Sequence, residues 1–149
     1  MHKVMKAALT LGTLTLGTLA LAVAAAAQQG AKEDVNPYIS NDPIVFASLD
    51  IGGRGNFTGV IDPEANRLCY ILNAPGVETP TAAHIHLGGP GESGAPVVPL
   101  ETPADGSSGG CVELEADLAK ALTDNPGGYY VNVHNAAYPG GAVRAQLRG

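Results

Sequence analysis

Glycine and proline interrupt this chain from Pro43 onward so often that most of its apolar runs have room for one strand and nothing longer. There are 20 Gly and 11 Pro among 149 residues. Short β-branched runs bounded by such breakers read as strands joined by turns. The pattern predicts strands over 44–51, 56–61, 67–72, 82–87, 96–100, 111–114, 130–135 and 142–147, with 101–110 a polar Gly/Ser-rich loop. One stretch departs from it. Leu114, Leu118 and Leu122 recur every fourth residue, Ala119 and Ala121 favour a helix, and Asn125-Pro126-Gly127-Gly128 stops it, so 115–124 is expected to be helical. With no Trp, 2 Phe and 5 Tyr, the core must be built from Val, Leu, Ile and Ala. The expectation is an all-β fold, an antiparallel immunoglobulin-like sandwich or barrel with one short helix.

The alternation of strand side chains sorts the chemistry. In 82–87, His84 and His86 share one face while Ile85 and Leu87 take the other. In 130–135, Tyr130, Asn132 and His134 share a face opposite Val131 and Val133. Pro139-Gly140-Gly141 turns the chain into the last strand, whose Val143, Ala145 and Leu147 face inward. A hairpin there would set Arg144 or Gln146 beside His134.

The ends and the charge bound the setting. Lys3 and Lys6 precede an uncharged apolar or small stretch from Ala7 to Ala27, closing on Ala25-Ala26-Ala27-Gln28. That is the form of a general secretory leader cleaved near Ala27. Residues 1–27 are therefore expected to be a signal peptide, 28–42 a flexible lead-in and 43–149 one domain, with no stable membrane span once the leader is gone. The product would be secreted or held in the periplasm or envelope. Without Lys3 and Lys6, 6 basic side chains face 14 acidic ones, a poor balance for binding nucleic acid. Cys69 and Cys111, an even count in an exported chain, are expected to form a disulfide worth roughly 3–4 kcal/mol by loop entropy.

Several familiar chemistries are missing. The glycines of 88–94 are not followed by the Gly-Lys-Ser/Thr of a phosphate loop, and no serine sits in a Gly-x-Ser-x-Gly elbow. The acidic residues do not follow the spacing of an EF-hand.

The order of blocks is informative as a whole. Leu68-Cys69-Tyr70 is followed by Ala82-Ala83-His84-Ile85-His86-Leu87-Gly88 and the loop Pro90-Gly91-Glu92-Ser93-Gly94, then by Gly109-Gly110-Cys111-Val112. Tyr129 to Asn135 and Pro139 to Leu147 close the series. This resembles the CHRD domain, named after the repeats of chordin and found in exported bacterial proteins, over roughly 44–147. The resemblance implies an immunoglobulin-like all-β fold and brings no catalytic mechanism with it. His84, His86, Gly91, Gly94, His134, Pro139, Arg144 and Gln146 stand at the matching positions.

Two functional readings follow. In the first, the protein is a non-enzymatic extracytoplasmic binding or envelope-associated module with an unidentified partner, and the histidines hold loops at one end of the sheet. In the second, His84, His86 and His134 bind copper or zinc, with Tyr130, Asn132, Arg144 and Gln146 supporting the site or facing a substrate. Its redox version is similar to the copper half of copper/zinc superoxide dismutase, with Arg144 drawing in an anion. This chain lacks the further histidines of that enzyme.

Overall fold

The computed structural model describes residues 41–149. The expected leader, and all of the lead-in but its last two residues, lie outside the described residues. Eight strands and one helix follow in order: β1 (Ile44–Leu49), β2 (Gly55–Asp62), β3 (Arg67–Asn73), β4 (Pro80–Leu87), β5 (Pro96–Leu100), β6 (Ser107–Glu113), α1 (Ala116–Asp124), β7 (Tyr129–Asn135) and β8 (Val143–Gln146). A single 3-10 turn, Pro126–Gly128, leads from α1 into β7.

The strands form two four-stranded sheets, ordered β1-β2-β3-β6 and β5-β4-β7-β8. Every pairing is antiparallel. The sheets do not close on each other, so of the two expected architectures the sandwich is the one formed. One bridge ties them at an edge: Phe46 and Arg148 exchange backbone hydrogen bonds of 2.8 and 2.9 Å.

Alternation determines which residues meet between the sheets. Val45, Ala47 and Leu49 of β1, Phe57 and Ile61 of β2, and Leu68, Tyr70 and Leu72 of β3 point inward. They meet Ala83 and Ile85 of β4, Val98 and Leu100 of β5, Val131 and Val133 of β7, and Ala145 of β8. Phe57 and Tyr70 stack at 5.8 Å between ring centroids and supply most of the aromatic area. Helix α1 buries Ala119 and Leu122, with Leu118 partly covered, and packs on β1 and β2. All of these buried positions belong to one apolar core, so the outer faces of the sheets are left for other tasks.

The one strand that departs from the expected pattern is β6. The segment 107–110, expected as loop, pairs residue for residue with β3, from Asn73↔Ser107 to Tyr70↔Gly110. Its Ser and Gly residues have little strand preference of their own. The ladder offered by β3 and the tether at Cys111 override it. Cys69 and Cys111 are direct partners in that ladder and are joined by a disulfide spanning 42 residues on the outer face of the first sheet. The Cys69→Ser/Cys111→Ser protein should still fold and bury the same core. In urea unfolding, however, it should be less stable by about 2–4 kcal/mol, the entropy of the released loop.

Candidate metal centre

The register of the second sheet assembles the site. Along β4 and β7, Ala82 opposes His134, His84 opposes Asn132 and His86 opposes Tyr130. Along β7 and β8, Tyr130 opposes Gln146 and Asn132 opposes Arg144. Opposed residues share a face, so all seven residues singled out in the sequence stand on the outer face of one sheet. The expected hairpin of the last two strands is present.

The three imidazoles are in mutual contact. His84 lies 5.5 Å from His86 and 5.2 Å from His134 between ring centroids, and His86 lies 5.5 Å from His134. One ring nitrogen from each comes within 4.8 Å of the others.

Two neighbouring loops orient the rings. Nδ1 of His86 donates to the carbonyl of Gly94, and Nδ1 of His134 donates to that of Pro139, each at 3.0 Å. A carbonyl can only accept, so in the neutral rings the proton is on Nδ1 and the lone pair on Nε2. Both Nε2 atoms are buried without a hydrogen-bond partner, as is Nδ1 of His84. Buried polar atoms are rarely left this way, and three orphaned ring nitrogens in one cluster need a common explanation.

The loop 88–95 is held down by the rest of the face. Arg144 donates to the carbonyls of Glu92 and of Gly89, the latter at 2.8 Å. Gln146 donates to Gly88 at 2.8 Å and to Tyr129 at 2.7 Å. The hydroxyl of Tyr130 accepts from the Gly94 amide at 3.3 Å. Gly94 approaches its neighbours so closely that a Cβ there would lie 1.9 Å from the Leu87 carbonyl oxygen. The guanidinium of Arg144 sits 3.5 Å over the Tyr130 ring, and that ring stacks on His86 at 5.0 Å. Arg144 therefore acts on His86 through Tyr130 and the loop. Its hydrogen bonds are made within the fold, where the dismutase-like reading would have it facing a substrate. Asn132, only 3% exposed, donates to Gly140 at 3.1 Å and anchors the second loop.

The electrostatics favour a neutral His84 ring. Burial, then the charges of His134 and His86, push the His84 pKa below the ordinary histidine value. Neutral imidazole is the form that binds a metal. Three nitrogens around a tetrahedral ion, each about 2.0–2.1 Å from it, stand roughly 3.3 Å apart. The nitrogens here, within 4.8 Å of one another, would have to draw together by up to about 1.5 Å to reach that spacing.

The cluster opens into a pocket of about 390 Å³. Besides the histidines its wall is Thr81, Ala82, Pro96, Asn135, Ala136 and Pro139, without a charged side chain. Sequence reasoning placed the turn that carries Ala136 and Pro139 at the rim of this face, and did not single out Thr81, Ala82, Pro96 or Asn135. Nor did it single out the two carbonyls that orient the rings, although it did place the loops that carry them.

A β-sandwich bearing a loop-braced triad of histidines on one outer face is the class of protein these features define. The CHRD domain family matches residues 39–147, most of the chain, and the protein belongs to that family. No curated protein and no solved structure matches it.

Two predictions follow from the bracing. Arg144→Ala removes the cation over Tyr130 and two loop hydrogen bonds. It should cost about 1–3 kcal/mol of stability by chemical denaturation and speed hydrogen exchange in 88–95. The second concerns acid. His84 binds its proton less readily when folded, so between its lowered folded pKa and the unfolded value near about 6.5 the unfolded chain takes up more protons. Stability of the metal-free protein should fall as pH drops through that window and level off below it, and His84→Gln should flatten the slope in urea titrations across the range.

Proposed function

We propose that this protein is an extracytoplasmic binding module whose ligand is a transition-metal ion held by His84, His86 and His134. The observation that carries the reading is the set of buried, unpartnered ring nitrogens Nδ1 of His84 and Nε2 of His86 and His134. A metal ion satisfies all three at once. The carbonyl bonds from the opposite nitrogens of His86 and His134 are the usual support of metal-binding histidines. An all-imidazole set without thiolate or carboxylate suits copper and zinc, and the general order of divalent affinities favours copper(II).

The rest of the chain agrees with this role. The disulfide belongs to an oxidising compartment and fits the leader expected at 1–27. Among the described residues no helix is long and apolar enough to cross a membrane. The pocket wall holds no carboxylate, lysine or cysteine to act as acid, base or nucleophile. This favours binding over catalysis by protein groups.

Calorimetric titration of the mature protein with copper(II) and zinc(II) tests the proposal, beside the His84→Ala/His86→Ala/His134→Ala variant. The expected result is one equivalent bound more tightly than about 1 μM by the native protein, and none by a variant that keeps its β circular dichroism. A folded native protein that takes up neither ion overturns the reading and returns the histidines to a purely structural part.

A further inference from the structure

We infer that a metal ion held by this triad takes a small exogenous monoanion at its open coordination position. The inference rests on the metal-binding reading above and extends it to the class of ligand the site receives. Three neutral imidazoles contribute no charge, so a divalent ion on them retains its full two units. Nothing in the pocket offsets it: the wall is made of Thr81, Ala82, Pro96, Asn135, Ala136 and Pro139, all uncharged.

The nearest acidic side chain of the bracing loop is turned to another use, because the Glu92 carboxylate accepts from the Gly89 amide at 3.0 Å. Arg144 is engaged with the carbonyls of Glu92 and Gly89 and with Tyr130. It adds positive potential behind His86 without blocking the pocket. An acidic protein with a formal charge of −6 thus carries, at this one position, an ion that no carboxylate neutralises. An uncompensated charge beside low-polarity walls attracts an anion more strongly than the same ion in water would.

The dimensions admit a small anion. A pocket of about 390 Å³, with His86 only 8% exposed, is at the small end for ligand sites. Three protein nitrogens leave one position of a tetrahedral ion, or two of a five-coordinate one, for a ligand from outside. The two prolines and two alanines offer few hydrogen bonds to a larger polar group. A linear or compact anion of two or three heavy atoms fits within these limits.

Azide is the probe, added to protein loaded with one equivalent of copper(II). The readouts are the azide-to-copper charge-transfer band and the copper electron paramagnetic resonance spectrum. Azide should bind saturably. Ala82 stands opposite His134 on the same face, so Ala82→Asp gives the pocket a protein carboxylate. It should weaken azide binding by about tenfold or more, whether the new carboxylate repels the anion or takes its place on the metal. Ala82→Asn has nearly the same bulk without the charge and should stay within about threefold of the native affinity.

Copper binding is measured first for each protein, which separates the two proposals. A native protein that binds no copper overturns the metal reading and this inference with it. Copper-loaded protein that ignores azide, or responds alike to Ala82→Asp and Ala82→Asn, leaves the metal reading standing and overturns the anion site.

Discussion

The antiparallel pairing of β4 with β7 is the constraint on which the rest of this protein depends. It turns Ala83, Ile85, Val131 and Val133 into the centre of the core and sets His84 and His86 beside His134 on the opposite face. The apolar half fixes the register, because a slip by one residue would drive imidazoles into the core and leave Ile85 in water. Burial of a few aliphatic side chains, each worth about 1.5–3 kcal/mol, thereby positions a polar cluster that contributes nothing to the core.

The same imidazoles can serve structure and the proposed metal ligand set without conflict. His86 and His134 each use one ring nitrogen to secure a loop, and each leaves the other facing the cluster. A loop carbonyl fixes the tautomer and aims the lone pair, so the bond that looks structural also prepares a ligand. Beyond the rings, Tyr130, Asn132, Arg144 and Gln146 hold the two loops to the sheet, which gives the open side of the triad a rigid rim.

Much of this was legible in the sequence because a strand's period is simple. Alternation alone placed His84 with His86 and Tyr130 with His134, and the turn at Pro139-Gly140-Gly141 joined β7 to β8. The adjacency of β4 and β7 was not legible. They are separated by two strands and a helix, and only their long-range pairing within the second sheet brings them together. The start of β6 was missed because Ser107 to Gly110 carry no strand signal of their own, and their pairing comes from β3. Arg144 was placed on the correct face, yet its service to the 88–95 loop depends on how that loop folds back, which spacing does not encode.

The disulfide and the triad occupy opposite exteriors of the sandwich, with the whole apolar core between them. Oxidation of Cys69 and Cys111 needs the β3–β6 ladder, while the histidines need the β4–β7 ladder and its loops. Neither event requires the geometry of the other. The chain can therefore be cross-linked, and its triad can take up the proposed ligand, in either order. A cell that runs short of one reactant still obtains a finished scaffold, ready for the step that is delayed.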